Sequence, residues 1–435
     1  MKSIAFVVAL CTSGGIAAAQ PGEVLTLDRA IELAKKQQPS VRAVRADVDA
    51  ANARIDLAHV ALHPTVTLSA SVGAGNNRSA PCVDDETQTC GGFFTATTST
   101  GLAASANWRI FDFGQTRVNI RAAELNAAAT LATVTTTELD LRVNVERAYL
   151  EAVARNRLVK VAETTVKSEE LHLDQAKKFV AAQAKDPIEV AQAQARAANA
   201  RSSLAQAQSS EAIALANLRA AIGWLDATRQ PSVDPNWPTP PAADPDALVQ
   251  LVEGARKFRP ELVQLDRVID AAEANITAAR YSNRPTLAAS AQTQWNPDQN
   301  DWTPEPAWSA GLTLSWQIFD GGRSKAESKI ARAQLVGAQA QRDALLVQLT
   351  SQLDSARAQI VANRANVSAS NEAVTAARAQ LQLAEARYAQ GLGSQIELAD
   401  AQQAVTTAEG NLVTAQWQLA DAWAQLRRAI GDNRA

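Results

Sequence analysis

Proline is missing from two long stretches of this 435-residue chain, between Pro81 and Pro187 and after Pro306. Nothing there forbids helices of unusual length. Histidine and cysteine are scarce as well, with three of each. His59, His63 and His172 are too scattered for a metal-ligating cluster or a catalytic triad. No apolar run reaches the ~18 residues that a membrane-spanning helix requires. Positive charge is not in excess: the formal net charge is −3, which removes the basic face that nucleic-acid binding demands. Gly73-Ala-Gly75 and Gly91-Gly92 do not open helices after buried strands, so neither reads as a phosphate-cradling loop. Aromatics make up only 5% of the chain although 46% is hydrophobic, because much of the apolar content is alanine. Alanine is the strongest helix former and a poor core filler, so the composition favours long, thin, closely packed helices. No catalytic constellation, cofactor site or metal site follows, and the chain reads as something other than an enzyme.

What is present begins with a secretory leader. Lys2, the apolar stretch Ile4 to Leu10 and the small residues Ala17-Ala18-Ala19 make residues 1–19 a signal peptide cleaved before Gln20. Cys11 raises the alternative of a lipid anchor, although Leu10 stands where a lipobox wants a small residue. The mature chain then keeps Cys82 and Cys90, a candidate disulfide suited to an oxidising compartment.

Self-similarity dominates the rest. The segments from Leu27 and from Leu248 align without a gap, pairing Pro39 with Pro260, Ile55 with Ile276 and Pro64 with Pro285. Trp108-Arg-Ile-Phe-Asp112-Phe-Gly114 matches Trp316-Gln-Ile-Phe-Asp320-Gly-Gly322, and Leu218 to Gly223 matches Leu426 to Gly431. Residues 20–223 and 246–431 are therefore two copies of one unit, with a short tail at 432–435. Between them, residues 224–245 form a linker in which six prolines fall from Pro231 to Pro245.

Each copy carries two runs of period two, at about 64–75 and 96–111, then at about 285–296 and 307–319. Val66, Leu68, Ala70 and Val72 oppose Thr65, Thr67, Ser69 and Ser71, and the other runs alternate in the same way. Their length, roughly 10 residues, suits tilted strands crossing a bilayer. Soluble hairpins packed on a core would also alternate, but no other β segment is available to cover these. Trp108, Phe111, Trp295, Trp302, Trp308, Trp316 and Phe319 fall near the strand ends, as interfacial belts do. Four strands cannot close a barrel, and lipid does not tolerate open edges. Strands must then be pooled: a dimer would give a narrow barrel, a trimer 12 strands around a lumen.

Beyond each strand pair runs a seven-residue leucine–alanine seam. In the second copy it passes through Leu349, Leu353, Ala356 and Ile360, breaks at Gly391-Leu-Gly393, and resumes at Leu398. The hairpins span about 114–223 and 322–430. One outgoing arm would measure about 100 Å at ~1.5 Å per residue.

Arg387-Tyr388-Ala-Gln-Gly391-Leu-Gly393-Ser394-Gln-Ile-Glu397-Leu-Ala-Asp400 is similar to the helical turn of the TolC-type outer-membrane factors. The two Ile-Phe-Asp-x-Gly runs resemble that family's strand-to-helix junction. The resemblance covers nearly all of Leu25 to Gly431. It implies a mixed, mainly α architecture: long antiparallel coiled-coil helices forming an α-barrel, plus four membrane β-strands per chain in a trimeric 12-stranded β-barrel. It further implies a homotrimer in outer-membrane lipid, with its tunnel in the periplasm. That assembly would be the exit duct of a tripartite efflux pump or type I secretion system. Its partners would be a periplasmic adaptor and an inner-membrane pump or ABC transporter. The rival architecture is a periplasmic adaptor, which should instead place one hairpin inside a lipoyl-like module. The turn tips implied to contact the adaptor are Arg387, Tyr388, Gly391, Gly393 and Ser394, with Phe179, Asp186 and Pro187 in the first copy. That first turn has no glycine and reads as about one residue longer. Glu397, Asp400 and Glu189 match acidic rings of the family's pore gate. On residue chemistry alone, Glu397 and Asp400 also suit solvated positions at a helix N-terminus. Gly393 stands where some relatives have a latching arginine, which leaves Arg387 as a substitute.

Overall fold

The computed structural model describes residues 24–77, 95–226, 231–237, 245–295 and 306–431. The signal peptide, Cys11, the Cys82–Cys90 pair, Trp302 and the tail at 432–435 lie outside the described residues. Two compact units emerge. One comprises residues up to Arg42, Thr137–Arg259 and Leu349 onward; the other comprises Ala43–Thr136 and Pro260–Gln348.

The first unit is helical. Strand β1 (Val24–Leu25) leads into helix α1 (Leu27–Gln37), whose Thr26 hydroxyl caps the first turn. The long helix α3 (Gln115–Ala181) enters this unit at Thr137 and is followed by α4 (Ile188–Ile222). The linker is not loose throughout, because β4 (Ser232–Val233) pairs in parallel with β1. Arg157 holds the same strap, donating to the Pro235 carbonyl at 2.8 Å while its guanidinium stands 5.2 Å from the Trp237 ring centroid. Helix α5 (Leu248–Phe258) repeats α1, and α7 (Arg323–Ala389) with α8 (Gln395–Ile430) repeats the long hairpin.

The heptad seam is buried as two matching cores. Val145, Tyr149, Val153, Leu218 and Ile222 close on Ala30, Leu33 and Val41; Leu353, Ile360, Leu419 and Leu426 close on Leu251 and Ala255. Both return helices end in a left-handed glycine, Gly223 and Gly431. At Gly431 a Cβ would stand 2.8 Å from the Phe258 carbonyl oxygen, so only glycine admits that approach. There Arg259 donates to the Arg428 and Ala429 carbonyls, as Gln38 does to those of Ala220 and Ala221. Further along the arms, Glu170 on α3 accepts from Arg201 on α4 at 2.7 Å. Arg378 on α7 donates to Glu409 on α8 at 2.6 Å, so the second hairpin has the same pair with its charges exchanged.

The second unit holds α2 (Pro39–Val60) from Ala43 onward, α6 (Pro260–Tyr281), the starts of α3 and α7, and one antiparallel sheet. Its order is β2 (Thr65–Asn77), β3 (Thr95–Phe111), β5 (Thr286–Trp295), β6 (Ala307–Ser315). Strands of the two copies thus meet at β3 and β5, with Ala106 opposite Ala291 and Trp108 opposite Ala289. Among the described residues both outer strands, β2 and β6, have a single neighbour. One face carries Val66, Leu68, Trp108, Leu312 and Leu314, all exposed; the other carries Thr67, Ser105, Gln292 and Ser309. The Trp108 indole N–H donates to the Leu62 carbonyl at 2.9 Å, fixing the ring at the helix-joined end of the sheet.

The reading of the fourth strand as reaching Phe319 is corrected: β6 stops at Ser315. Ser315 pairs with Thr286, the first residue of β5 after Pro285, so later residues of β6 have no ladder to join. Trp316, Ile318 and Phe319 consequently stand exposed beyond the sheet. Among the described residues no helix is long and apolar enough to cross a membrane.

Candidate functional site

Two turns and two junctions concentrate the polar chemistry. At each strand-to-helix junction an aspartate caps the helix that follows. Asp320 accepts from the backbone N–H groups of Gly322 and Ser324, both at 2.8 Å. Asp112 does the same for Gly114 at 3.1 Å and Thr116 at 2.8 Å, and also takes the Thr116 hydroxyl. Hydrogen bonds from the Ser324 hydroxyl and amide and the Gly322 amide draw the Asp320 carboxyl down to about 2. Burial pushes Asp112 up, but its bonds to Thr116 and Gly114 and the Arg109 charge more than offset that, leaving it below its ordinary value.

Both folded values lie below the unfolded ones, so the stabilisation is present above the ordinary carboxylate range and is lost as pH falls through the folded value. For Asp320 that window runs from 3.8 down to about 2. Replacing Asp112 by alanine should cost about 1 kcal/mol at neutral pH, a typical loss of a helix cap. Thermal unfolding of the solubilised protein followed by circular dichroism measures it, and the deficit should shrink on acidification.

The tips lie within the first unit. The last turn of α7 closes through Gly391, whose φ is 73°, with the Leu392 and Gly393 amides both donating to the Arg387 carbonyl. The Ser394 hydroxyl then accepts the Glu397 amide at 3.1 Å and starts α8. Gly393 packs tightly, since a Cβ there would meet the Tyr388 nitrogen at 3.0 Å.

The first-copy tip is built on the same plan without glycine. Gln183 takes the left-handed conformation at φ 56°, and Ala184 donates to the Phe179 carbonyl. Asp186 accepts the Ile188 amide at 3.0 Å, next to Pro187. The expected extra residue is therefore absent: Phe179 stands as far before Glu189 as Arg387 does before Glu397. Asp186 replaces Ser394, and Lys185 replaces Gly393.

That lysine joins the two tips. Its ammonium donates to the Gly393 carbonyl at 3.0 Å, lies 3.7 Å from a Glu189 oxygen, and sits 5.5 Å from the Tyr388 ring centroid. The Tyr388 hydroxyl donates to Glu189 at 3.1 Å, and its buried ring meets Phe179 edge-on at 5.5 Å. Burial first, then the bond to Glu189 and that carboxylate's charge, push the Tyr388 hydroxyl up to about 12.

Glu189 is thus mostly covered and engaged by Lys185 and Tyr388. Glu397 and Asp400 do remain accessible. Arg387, read as a substitute latch, stands 3.5 Å from Glu397. Ile188, Leu392 and Ile396 are exposed at the tips. Sequence reasoning missed Lys185, Ser168 and Gln402; Ser168 donates to Gln402 at 2.8 Å across α3 and α8. Only the equivalence of Lys185 with Gly393 could have signalled the first of these. Among the described residues no His/Cys/Asp/Glu group could hold a metal ion.

Residues 30–224 and 251–432 of the chain match the family described as outer membrane efflux protein. The chain belongs to that family. It resembles protein CyaE of Bordetella pertussis, 27% identical over 72% of this chain and 64% of CyaE, just under two thirds of that protein's length. It also resembles the outer membrane efflux protein BepC of Brucella suis, 25% identical over 95% of this chain and 88% of BepC. The CmeC outer membrane channel of Campylobacter jejuni shares the fold, with a TM-score of 0.78 at 15% identity, over 93% of this chain and 85% of CmeC. The efflux-protein match runs through both copies, so the periplasmic-adaptor reading is set aside. Members of this family are channels of the outer membrane, and that is where this chain resides.

Proposed function

We propose that three copies of this outer membrane efflux protein pool their sheets into a 12-stranded barrel, with β6 of each copy closing on β2 of the next. The observation that supports this most directly is the pair of single-neighbour strands. Their free backbone groups cannot stay unpaired in hydrocarbon. The helical hairpins continue as a periplasmic tunnel, and the assembly is the passive exit duct of a tripartite efflux pump or type I secretion system. A periplasmic adaptor docks at the tips, where Ile188, Leu392 and Ile396 offer exposed apolar surface. An inner-membrane pump or ABC transporter completes the path.

Glu397 and Asp400 line the constriction in this reading. Residues three apart share a helix face, and threefold symmetry turns each into a ring of carboxylates that favours cations. Glu397→Gln with Asp400→Asn should reduce cation preference and relieve divalent block in planar bilayers. Unchanged selectivity would reject the gate assignment. Assembly is tested separately, by outer-membrane fractionation and unheated electrophoresis, where the chain should run as a detergent-resistant trimer.

A further inference from the structure

On the apolar face of the sheet an open furrow of about 480 Å³ follows β5. Ala289 and Ala291 form its floor, with Ala106 and Ala310 alongside, while Trp108 and Leu312 rise as walls. Strand alternation puts Leu287 and Trp295 on the same side of β5, so bulky residues stand beyond the alanines at both ends. The Trp108 wall is held by its bond to the Leu62 carbonyl.

Arg284 precedes this strand, at its helix-joined end. Its guanidinium stacks 3.7 Å from the Tyr281 ring centroid and donates to the Phe113 carbonyl at 3.3 Å. Both partners are neutral, and no carboxylate pairs with Arg284 among the described residues, so its positive charge is not cancelled locally. From Arg284, in the bend after α6, to Ala289 is at most about 17 Å along the chain. One leaflet of hydrocarbon is of similar depth, about 15 Å.

We infer that the furrow and Arg284 together bind one anionic glycerophospholipid, its acyl chain along β5 and its phosphate at Arg284. This rests on reading the sheet as membrane-embedded. The charged end lies where α2, α3, α6 and α7 leave the sheet, which is the periplasmic side. The lipid there belongs to the phospholipid leaflet and not to the lipopolysaccharide leaflet.

The full chain reconstituted in phosphatidylcholine vesicles, doped with phosphatidylglycerol bearing a photoactivatable acyl chain, tests this by mass-spectrometric mapping of labelled peptides. Label should concentrate on the peptide containing Ala289 and Ala291, and Ala291→Phe should displace it by filling the furrow. Arg284→Gln should lower phosphatidylglycerol labelling about fivefold, the effect of removing one basic group from an anionic surface, and leave phosphatidylcholine labelling unchanged. If Ala291→Phe does not assemble on unheated gels, Arg284→Gln carries the test alone. Equal labelling at Val66, Val72 and Leu314, or stronger competition by lipopolysaccharide than by phosphatidylglycerol, overturns the inference while leaving the sheet in the membrane. Label on no strand at all overturns the membrane reading along with it.

Discussion

Val66→Arg should reduce assembly in the outer membrane, while Thr67→Arg, its immediate neighbour, should assemble normally. The two side chains leave β2 on opposite faces, Val66 beside Ala106 and Thr67 beside Ser105. Val66 is 76% exposed and shares its face with Leu68, Val72 and Leu312, the face assigned to lipid. Arginine on the lipid face costs about 2–4 kcal/mol at the bilayer midplane and less toward the interface; Val66 is the second residue of β2, so the cost across three copies is on the order of a few kcal/mol. Thr67 lies among serines and glutamines that would face water, where a guanidinium is inexpensive and should instead lower cation conductance. Unheated electrophoresis of outer-membrane fractions reads the first effect and bilayer recording the second. Equal assembly of both variants would mean that the apolar face does not meet lipid.

Tyr388→Ala should loosen the tips and raise open-state conductance. The ring is 1% exposed and is packed by Ala384, Leu398, Ala401 and Phe179. Truncating a buried aromatic typically costs about 3–5 kcal/mol, and the loss here is concentrated at the turn. Glu189 would also lose its donor and Lys185 the ring beneath it. Tyr388→Phe keeps the packing and removes only the hydrogen bond, so its effect should be smaller. The hydroxyl is raised to about 12 from 10.0, so its contribution is complete below pH 10 and is lost only as pH rises through about 12. Neutral-pH gating therefore does not run through this tyrosine's proton. Hydrogen exchange around 179–189 and 388–398, with single-channel recording, measures both variants; a Tyr388→Ala channel with native conductance and protection would rule out the latch.

Elements whose periodicity is set by local chemistry were legible in the sequence. Thr65 to Gly75 alternates without error and becomes β2, and the leucine–alanine seam becomes the buried cores around Leu353 and Val145. The Ile-Phe-Asp-x-Gly runs marked both junctions because aspartate and glycine there serve a capped turn. What escaped depends on partners distant in sequence. β6 ends early because Pro285 ends its neighbour's ladder, which no pattern within β6 reveals. The tip latch joins Lys185 to Gly393, more than two hundred residues later, and Gln183 supplies a left-handed turn that sequence habit assigns to glycine.

The exchanged pairs Glu170–Arg201 and Arg378–Glu409 bear on how duplicated arms find their mates during folding. Should α8 take the place of α4 as the return arm of α3, Glu170 would meet Glu409; α4 in the place of α8 against α7 would bring Arg378 and Arg201 together. The two copies thereby carry opposite labels at this level of the hairpin, which favours each outgoing arm meeting its own return arm.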